Sequence, residues 1–369
     1  MDKYNVIVVG GGPSGSIAAR TLAQAGVKVL LIDKDFRRVK PCGGATPSKS
    51  FEEFNLPLSA ISREIKVVSV ISPLGYRIDK PLNGGYFAMV QRGMFDRSLR
   101  EQAQKAGGDL AEAEFLRIRQ AGRKIHITVI ENGRERNIAA DFLIAADGVN
   151  SRTAGALGLK SLPGVYTLQE EVEMQAAEDF QRLTACEFWF ATSHAPNFYS
   201  WVFPKKDCID IGTGSVDGKT LKVLMKNFKA RRRISGEGRQ IVYRLPLKQR
   251  DSLIHGNVFF VGDAAGLVMP LSYEGIYYAM YSGRMAAEAI ISGKPGDYEK
   301  QWNKKFRKQF KIMERLKKYF FKNDKRIEQM FYIHKRENVQ EASMRFWLEK
   351  DTGISSFLSC LNFFKKIQS

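Results

Sequence analysis

The stretch from Tyr4 to Asp33 constrains the fold more than any other part of the chain. Tyr4 to Val9 is a short apolar run, the pattern of a strand buried on both faces. Gly10-Gly11-Gly12-Pro13-Ser14-Gly15 follows, then an Ala-rich helical stretch to about Ala25, closed by Gly26. Val27 to Ile32 reads as a second buried strand and ends in Asp33, 18 residues after the last glycine of G-x-G-x-x-G. Glycines let the backbone approach a pyrophosphate, and the helix N-terminus aims N–H groups at its oxygens. A carboxylate at the end of the second strand can accept hydrogen bonds from ribose hydroxyls. Strand, turn, helix, strand and acid in register predict a βαβ unit that binds a dinucleotide.

Two later segments say which one. Phe142 to Ala146 is a further buried strand running into Asp147-Gly148-Val149-Asn150-Ser151. Val258 to Val261 runs into Gly262-Asp263-Ala264-Ala265-Gly266, ahead of an expected Ala-rich helix. An acid at such a strand end can hold a ribityl chain, while a helix N-terminus favours the electron-rich edge of a flavin. One acid near each end of a long cofactor fits FAD better than NAD. Between these motifs, residues 56–86 and about 160–250 carry strand-like runs: Ile65 to Ile71, Thr184 to Phe190, Phe198 to Pro204 and Ile209 to Thr213. Lys226 to Arg233 is a basic helical stretch among them. The predicted fold is α/β (α+β): a Rossmann-like FAD-binding domain (1–55, 87–158 and 254–297) with an inserted, mostly antiparallel substrate sheet (56–86 and 159–253). A basic helical C-terminal segment, 298–369, follows.

Composition removes other classes. An apolar share of 44% over 369 residues is ample for packed cores, so global disorder is excluded. Cys42, Cys186, Cys208 and Cys360 are scattered and form no C-x-x-C, so neither a disulfide partner nor a metal site is expected, and a reducing cytoplasm is. No segment resembles a signal peptide or offers 18 uncharged apolar residues for a membrane span. The chain carries 58 Lys+Arg against 39 Asp+Glu, a net +19, and +10 of it falls from Lys294 onward. No nucleic-acid-binding module accompanies that charge, so no nucleic-acid partner is expected. Instead Trp302, Phe306, Phe310, Met313, Leu316 and Phe320 recur at spacings of three and four among lysines, a basic amphipathic helix. It either packs on the fold or docks on the cytoplasmic face of a membrane, as could the short apolar run Ile354 to Phe364.

Several motifs together resemble the geranylgeranyl reductases, FAD-dependent enzymes with the fold of p-hydroxybenzoate hydroxylase. They are Gly10–Gly15, Lys40-Pro41-Cys42-Gly43-Gly44, Asp147-Gly148, Tyr199-x-Trp201-x-Phe203-Pro204-Lys205, Gly262-Asp263-Ala264-Ala265-Gly266 and Pro270-x-x-x-Glu274-Gly275-Ile276…Ser282-Gly283. The resemblance covers roughly residues 1–320. It implies reduction of C=C bonds in a polyprenyl substrate, with hydride from N5 of reduced FAD and a proton added at the other carbon. It places Gly10, Gly12, Pro13, Ser14, Gly15, Asp33, Lys34 and Arg92 (of Arg92-x-x-Phe95-Asp96) at the adenosine and phosphate parts. Cys42, Gly43 and Ala45 come near the isoalloxazine, and Lys40 and Gly44 are cofactor-binding as well. Leu116, Asp147, Gly148, Gly262, Asp263, Gly275 and Ile276 complete the cofactor set. Cys42 is the implied catalytic residue, with Trp201 and Tyr199 on the cavity floor. The electron donor, NAD(P)H or ferredoxin, has no second fingerprint of its own. Two positions depart from the family pattern: Ala154 stands where an arginine is usual, with Arg152 directly after Ser151, and Tyr273 stands where a glycine is usual. The same scaffold also serves flavin-dependent monooxygenases and halogenases, the alternative activity.

Overall fold

The N-terminal apolar run forms the strand Asp2–Val9, which lies parallel between Val29–Asp33 and Arg134–Ala145. Val6 pairs with both Val29 and Phe142, and Val6, Ile7 and Val8 have no solvent exposure. Burial on both faces is why these strands read as continuous apolar runs rather than alternating ones. Val258–Phe260 extends the parallel set beyond Arg134–Ala145. Asp109–Ala121, Lys124–Glu131 and Arg134–Ala145 add an antiparallel meander. The helices Pro13–Gln24 and Ile276–Ile291 pack closely: a Cβ at Gly283 would lie 2.1 Å from the Ser14 carbonyl oxygen, so only glycine permits that approach.

The computed structural model describes residues 2–122, 124–173 and 183–350, and the chain forms two compact units. The first, which holds the elements above, comprises Met1–Lys40, Arg92–Gly164 and Leu245–Phe310; the second comprises Pro41–Gln91, Val165–Arg244 and Lys311–Ser369. These breaks lie 5 to 15 residues from the expected boundaries, furthest in two places. Residues 41–55 go with the sheet unit, because Gly43 lies against Phe203 and Gly44 against the Val90 backbone. The C-terminal segment divides at 310/311.

The second unit is built on a seven-stranded sheet in the order Arg239–Pro246, Gly164–Glu173, Cys208–Ser215, Ser200–Pro204, Ala185–Trp189, Val67–Ile71 and Arg77–Pro81. Gly164–Glu173 through Ala185–Trp189 pair antiparallel, and Ala185–Trp189 runs parallel to Val67–Ile71. The period of two sorts the two faces. Leu168, Val172, Val202, Ile209 and Ile211 turn to one side and bury against Leu221, Met225 and Phe228 of the helix Leu221–Arg232. Each such side chain stabilises the unit by about 1.5–3 kcal/mol relative to exposure. The opposite face is left for Tyr199, Trp201 and Phe203.

The amphipathic C-terminal pattern is helical and its apolar stripe is used internally. Asp297–Trp302 passes through a π-helical turn, Asn303–Arg307, into Lys308–Phe320. Trp302, Phe306 and Phe310 set their rings 6.5, 5.5 and 5.1 Å from that of Tyr278. Met313, Phe320 and Phe321 are buried as well. The helix Asp324–His334 follows, capped by the Asn323 side chain, and then Glu337–Met344. The run Ile354 to Phe364 lies outside the described residues. No helix among the described residues is long and apolar enough to cross a membrane.

Candidate active site: a glycine cradle and an aromatic sheet face

In the first unit the glycine turn has two kinds of glycine. Gly10 sits at φ +111°, and a Cβ there would come 2.3 Å from the Ala146 oxygen; a Cβ at Gly15 would come 1.9 Å from the Gly10 oxygen. Those two are required by the fold. Gly12 differs: its backbone, φ −78° and ψ −175°, suits any residue, and a Cβ there would meet nothing within 4 Å. It is also the N-cap of Pro13–Gln24, with no side chain capping the helix and no acidic residue in the first turn. Open space beside uncapped helix N–H groups is what a pyrophosphate needs. Asp33 is drawn into the same place, one carboxylate oxygen accepting from Gly11 N at 2.7 Å and the other from Asp35 N. The residues fit the adenine end of FAD.

The two Gly-Asp motifs behave differently from each other. Asp147 is half-buried; one oxygen accepts from Thr153 N at 2.9 Å, and the other, itself buried, has no hydrogen-bond partner among the described residues. Burial pushes its carboxyl up. Asp263 forms an ion pair with Lys40 at 2.5 Å, which joins the end of the N-terminal stretch to the Gly262 turn. The expected Ala-rich helix directly after Gly262-Asp263 is not formed. Gly262–Ala265 is a single 3₁₀ turn that ends in left-handed Gly266, and the α-helix begins only at Ile276 with Gly275 as its N-cap. Pro270 and the left-handed Tyr273, φ +54°, fall within the break. Tyr273 is buried and takes the positive φ that a glycine would adopt without strain. At the other departure, Arg152 does not replace the missing arginine: it pairs with Glu114 at the surface, and Ala154 is buried.

Among the remaining predicted cofactor residues, Arg92 is buried in a bidentate pair with Asp96. Gly148 is left-handed, φ +81°. Lys34 is exposed, and Leu116 is half-buried at a β-bulge between Phe115 and Arg117. Arg100 escaped the sequence reading. Its guanidinium, buried over the Phe36 ring, donates to Gly11 O at 3.1 Å and Phe36 O at 2.7 Å and so fixes the glycine turn. Its signal was faint, an arginine one helical turn beyond Asp96.

In the second unit Gly43, flanked by Cys42 and Gly44, lies on the aromatic sheet face. A Cβ at Gly43 would come 2.5 Å from the Phe203 ring, with Trp201 Nε1 at 3.5 Å. Gly44, φ +81°, presses on Val90 O and donates its N–H to Cys42 Sγ at 3.4 Å. Cys42 and Ala45 stay partly accessible, and no disulfide involves Cys42, Cys186 or Cys208. Tyr199 and Phe203 both pack on Phe188 at 5.1 Å, and Tyr199 stacks on Phe198 at 5.0 Å. Two unpredicted glycines make the wall possible. Across the ladder from Trp201, a Cβ at Gly212 would enter the indole at 2.0 Å, and one at Gly214 would meet the Phe198 ring at 2.7 Å.

Trp201 is also held from below. Its Nε1–H donates to Asp210 Oδ1 at 2.6 Å; Gln169 Nε2 and Lys205 Nζ, the latter at 3.0 Å, donate to Oδ2. Lys205 also reaches Glu171 at 2.6 Å. Asp210 has no solvent exposure, and that burial pushes its carboxyl up to about 6 against the pull of Lys205. The two carboxylates hold the Lys205 ammonium firmly protonated. The predicted set therefore divides. The dinucleotide residues gather in the first unit, and Cys42, Gly43, Gly44, Ala45, Tyr199 and Trp201 gather in the second. No group of three or more His, Cys, Asp or Glu among the described residues could hold a metal ion.

Residues 4–185 match the family model of pyridine nucleotide-disulphide oxidoreductases. The chain is 33% identical over 377 residues to the chloroplastic geranylgeranyl diphosphate reductase of Arabidopsis thaliana, covering 94% of this chain and 81% of that one. It is 31% identical to the digeranylgeranylglycerophospholipid reductase of Methanocaldococcus jannaschii, covering 84% and 83%. A crystal structure of a geranylgeranyl bacteriochlorophyll reductase-like protein from Thermoplasma acidophilum superposes with a TM-score of 0.81 at 27% identity, over 89% of this chain and 90% of that one. With a glycine cradle, a Cys-Gly-Gly segment and these relatives, the chain belongs to the geranylgeranyl reductase family of flavin oxidoreductases.

Proposed function

We propose that the protein reduces carbon–carbon double bonds of a polyprenyl chain, with FAD as its bound cofactor. The observation that carries this reading is Gly43, in the Cys42-Gly43-Gly44 segment, laid against Phe203 and Trp201. It joins a partly accessible thiol to an apolar aromatic wall, which suits a substrate lacking polar handles. Each methylene set against such a wall contributes roughly 0.8 kcal/mol, so a long prenyl chain binds without hydrogen bonds.

Gly10, Gly12, Pro13, Ser14, Gly15 and Asp33 would hold the adenine and pyrophosphate parts, and Asp263, Gly275 and Ile276 the flavin end. When bound, FAD supplies the electron pair as hydride. The chain's own part is to exclude water, orient the prenyl chain on Tyr199 and Trp201, and hold a proton. Cys42 is the proposed proton source, its sulfur turned back toward Gly44 N. NAD(P)H or ferredoxin would reload the flavin from solution. The substrate is lipid-borne and is met at the cytoplasmic face of a membrane.

Two measurements test this. The reduced protein, incubated without oxygen with geranylgeranyl diphosphate or a geranylgeranyl phospholipid, is expected to yield products heavier by two hydrogens per double bond in mass spectra. Cys42→Ala is expected to lower kcat about a hundredfold, the usual scale for a lost general acid, with flavin content and KM little changed. An unchanged kcat removes Cys42 from the reaction.

A further inference from the structure

Three of the most exposed large apolar side chains meet at one corner of the second unit: Leu74, Tyr76 and Tyr332, 75%, 54% and 69% exposed. Leu74 and Tyr76 form the tip of the hairpin Val67–Ile71/Arg77–Pro81, which is the edge of the seven-stranded sheet. Tyr332 stands on the helix Asp324–His334, on the stripe that also carries Lys325, Glu328 and Lys335. Two contacts bring these elements together. Glu328 accepts from Leu74 N at 2.7 Å, and the Lys335 ammonium lies 4.9 Å from the centre of the Tyr76 ring.

The tip is held stiffly. Arg231 donates to the Ser72 and Pro73 oxygens at 3.0 and 2.6 Å, and Ser72 closes the turn by bonding Tyr76 through both its backbone N–H and its hydroxyl. A hairpin end that only connected two strands would not need bonds from two other helices. Here they present a leucine and a tyrosine outward. The charges around them are mostly positive. Lys325, Lys335 and Arg336 are exposed against Glu337, and Arg231 flanks the tip; Glu328 is engaged by Leu74 N, and Asp79 by Arg77, which also pairs with Glu187. An apolar tip with tyrosines at its shoulders and lysines behind them suits the boundary between headgroups and acyl chains. A protruding tip fits a planar layer better than it fits a pocketed partner.

We propose that this corner, Leu74, Tyr76 and Tyr332 with Lys325, Lys335 and Arg336, is the surface by which the protein docks on an anionic bilayer. Its purpose rests on the lipid-borne substrate proposed above; the surface itself rests on exposure, rigidity and charge. Docking brings the protein to the layer in which a prenyl chain is dissolved.

Flotation of the full-length holoenzyme with two kinds of vesicle tests it. One is phosphatidylcholine alone; the other contains about one-third phosphatidylglycerol. The wild type is expected to float with the anionic vesicles only, and to be released by salt, because surface attraction is screened. Leu74→Ser/Tyr76→Ser/Tyr332→Ser is expected to lower the bound fraction about tenfold, and Lys325→Glu/Lys335→Glu by a similar factor. Flavin content and near-UV circular dichroism should match the wild type in both. Either variant floating like the wild type overturns the proposal, as does a wild type that binds neither vesicle or both equally. Turnover of a detergent-dispersed prenyl diphosphate should be the same in wild type and triple variant. If the wild type reduces no prenyl substrate, the functional reading fails while the flotation result is judged by itself.

Discussion

Protein carrying Gly12→Val is expected to fold normally and to purify without its yellow colour. A Cβ at position 12 meets nothing within 4 Å and needs no unusual backbone angle, so the fold has no use for glycine there. On the reading proposed above the space is the cofactor's, and a valine fills it. Loss of flavin affinity by at least about a hundredfold, roughly 2.7 kcal/mol, is expected. Thermal unfolding of the flavin-free protein should be unaltered. Gly15→Ala is the contrasting case. Its Cβ would lie 1.9 Å from the Gly10 oxygen and 3.1 Å from both Val8 and Ala146 side-chain carbons, so it should damage fold and binding together. Flavin absorbance per polypeptide, beside the melting temperature of the stripped protein, separates the two. A yellow Gly12→Val protein at full flavin content contradicts the cradle.

The second large effect is expected beneath Trp201. Asp210→Ala leaves a buried indole N–H without its acceptor and leaves Lys205 only the half-exposed Glu171. A loss of about 3 kcal/mol follows from breaking a buried charged pair. Activity toward a polyprenyl substrate should fall about a hundredfold, since a misplacement of around an ångström is enough for that. Asp210→Asn keeps an acceptor for the indole and should recover most of both losses. Gly212→Ala, two residues along the same strand, should damage activity as severely by a different route, pushing its Cβ into the ring.

The same carboxyl gives a pH signature. Its folded-state pKa is raised from 3.8 to about 6, so the folded protein binds this proton more tightly than the unfolded chain does. The stability it contributes is complete below 3.8 and is lost as pH rises through about 6. Tryptophan emission of the wild type should therefore shift with a midpoint near that pH, and the shift should vanish in Asp210→Asn. An identical shift in both proteins would assign it to another group.

The fold of the glycine cradle was legible because its requirements are local. A strand, a glycine turn, a helix and an acid within the first thirty-odd residues must lie together whatever the rest of the chain does. The aromatic wall was legible in part, since Tyr199, Trp201 and Phe203 alternate on one strand. Gly212, Gly214 and Asp210 were not, because their meaning depends on which residue stands opposite, and register is fixed by the whole sheet. The helix expected after Asp263 failed for a different reason. Alanines at 264 and 265 raise local helix propensity, but Gly266 leaves the turn left-handed and Pro270 follows. The basic amphipathic stripe had the right period. Period alone does not say whether a protein or a lipid covers the apolar side, and here Tyr278 covers its first turns.

The interleaving of the two units bears on how the chain is made. Each unit is assembled from three separated stretches, and the strand at Asp2–Val9 shares a sheet with one at Val258–Phe260. At a synthesis rate of roughly 5–20 residues per second, the first strand waits on the ribosome for about ten seconds or more before its sheet can be completed. Neither unit is complete before Phe310 has been made, so folding of one whole unit early in synthesis, ahead of the rest, is closed to this protein. A nascent chain stopped before Arg239 carries two incomplete sheets with unpaired edges. Such chains are natural clients for chaperones, and stable expression of either half by itself is not expected.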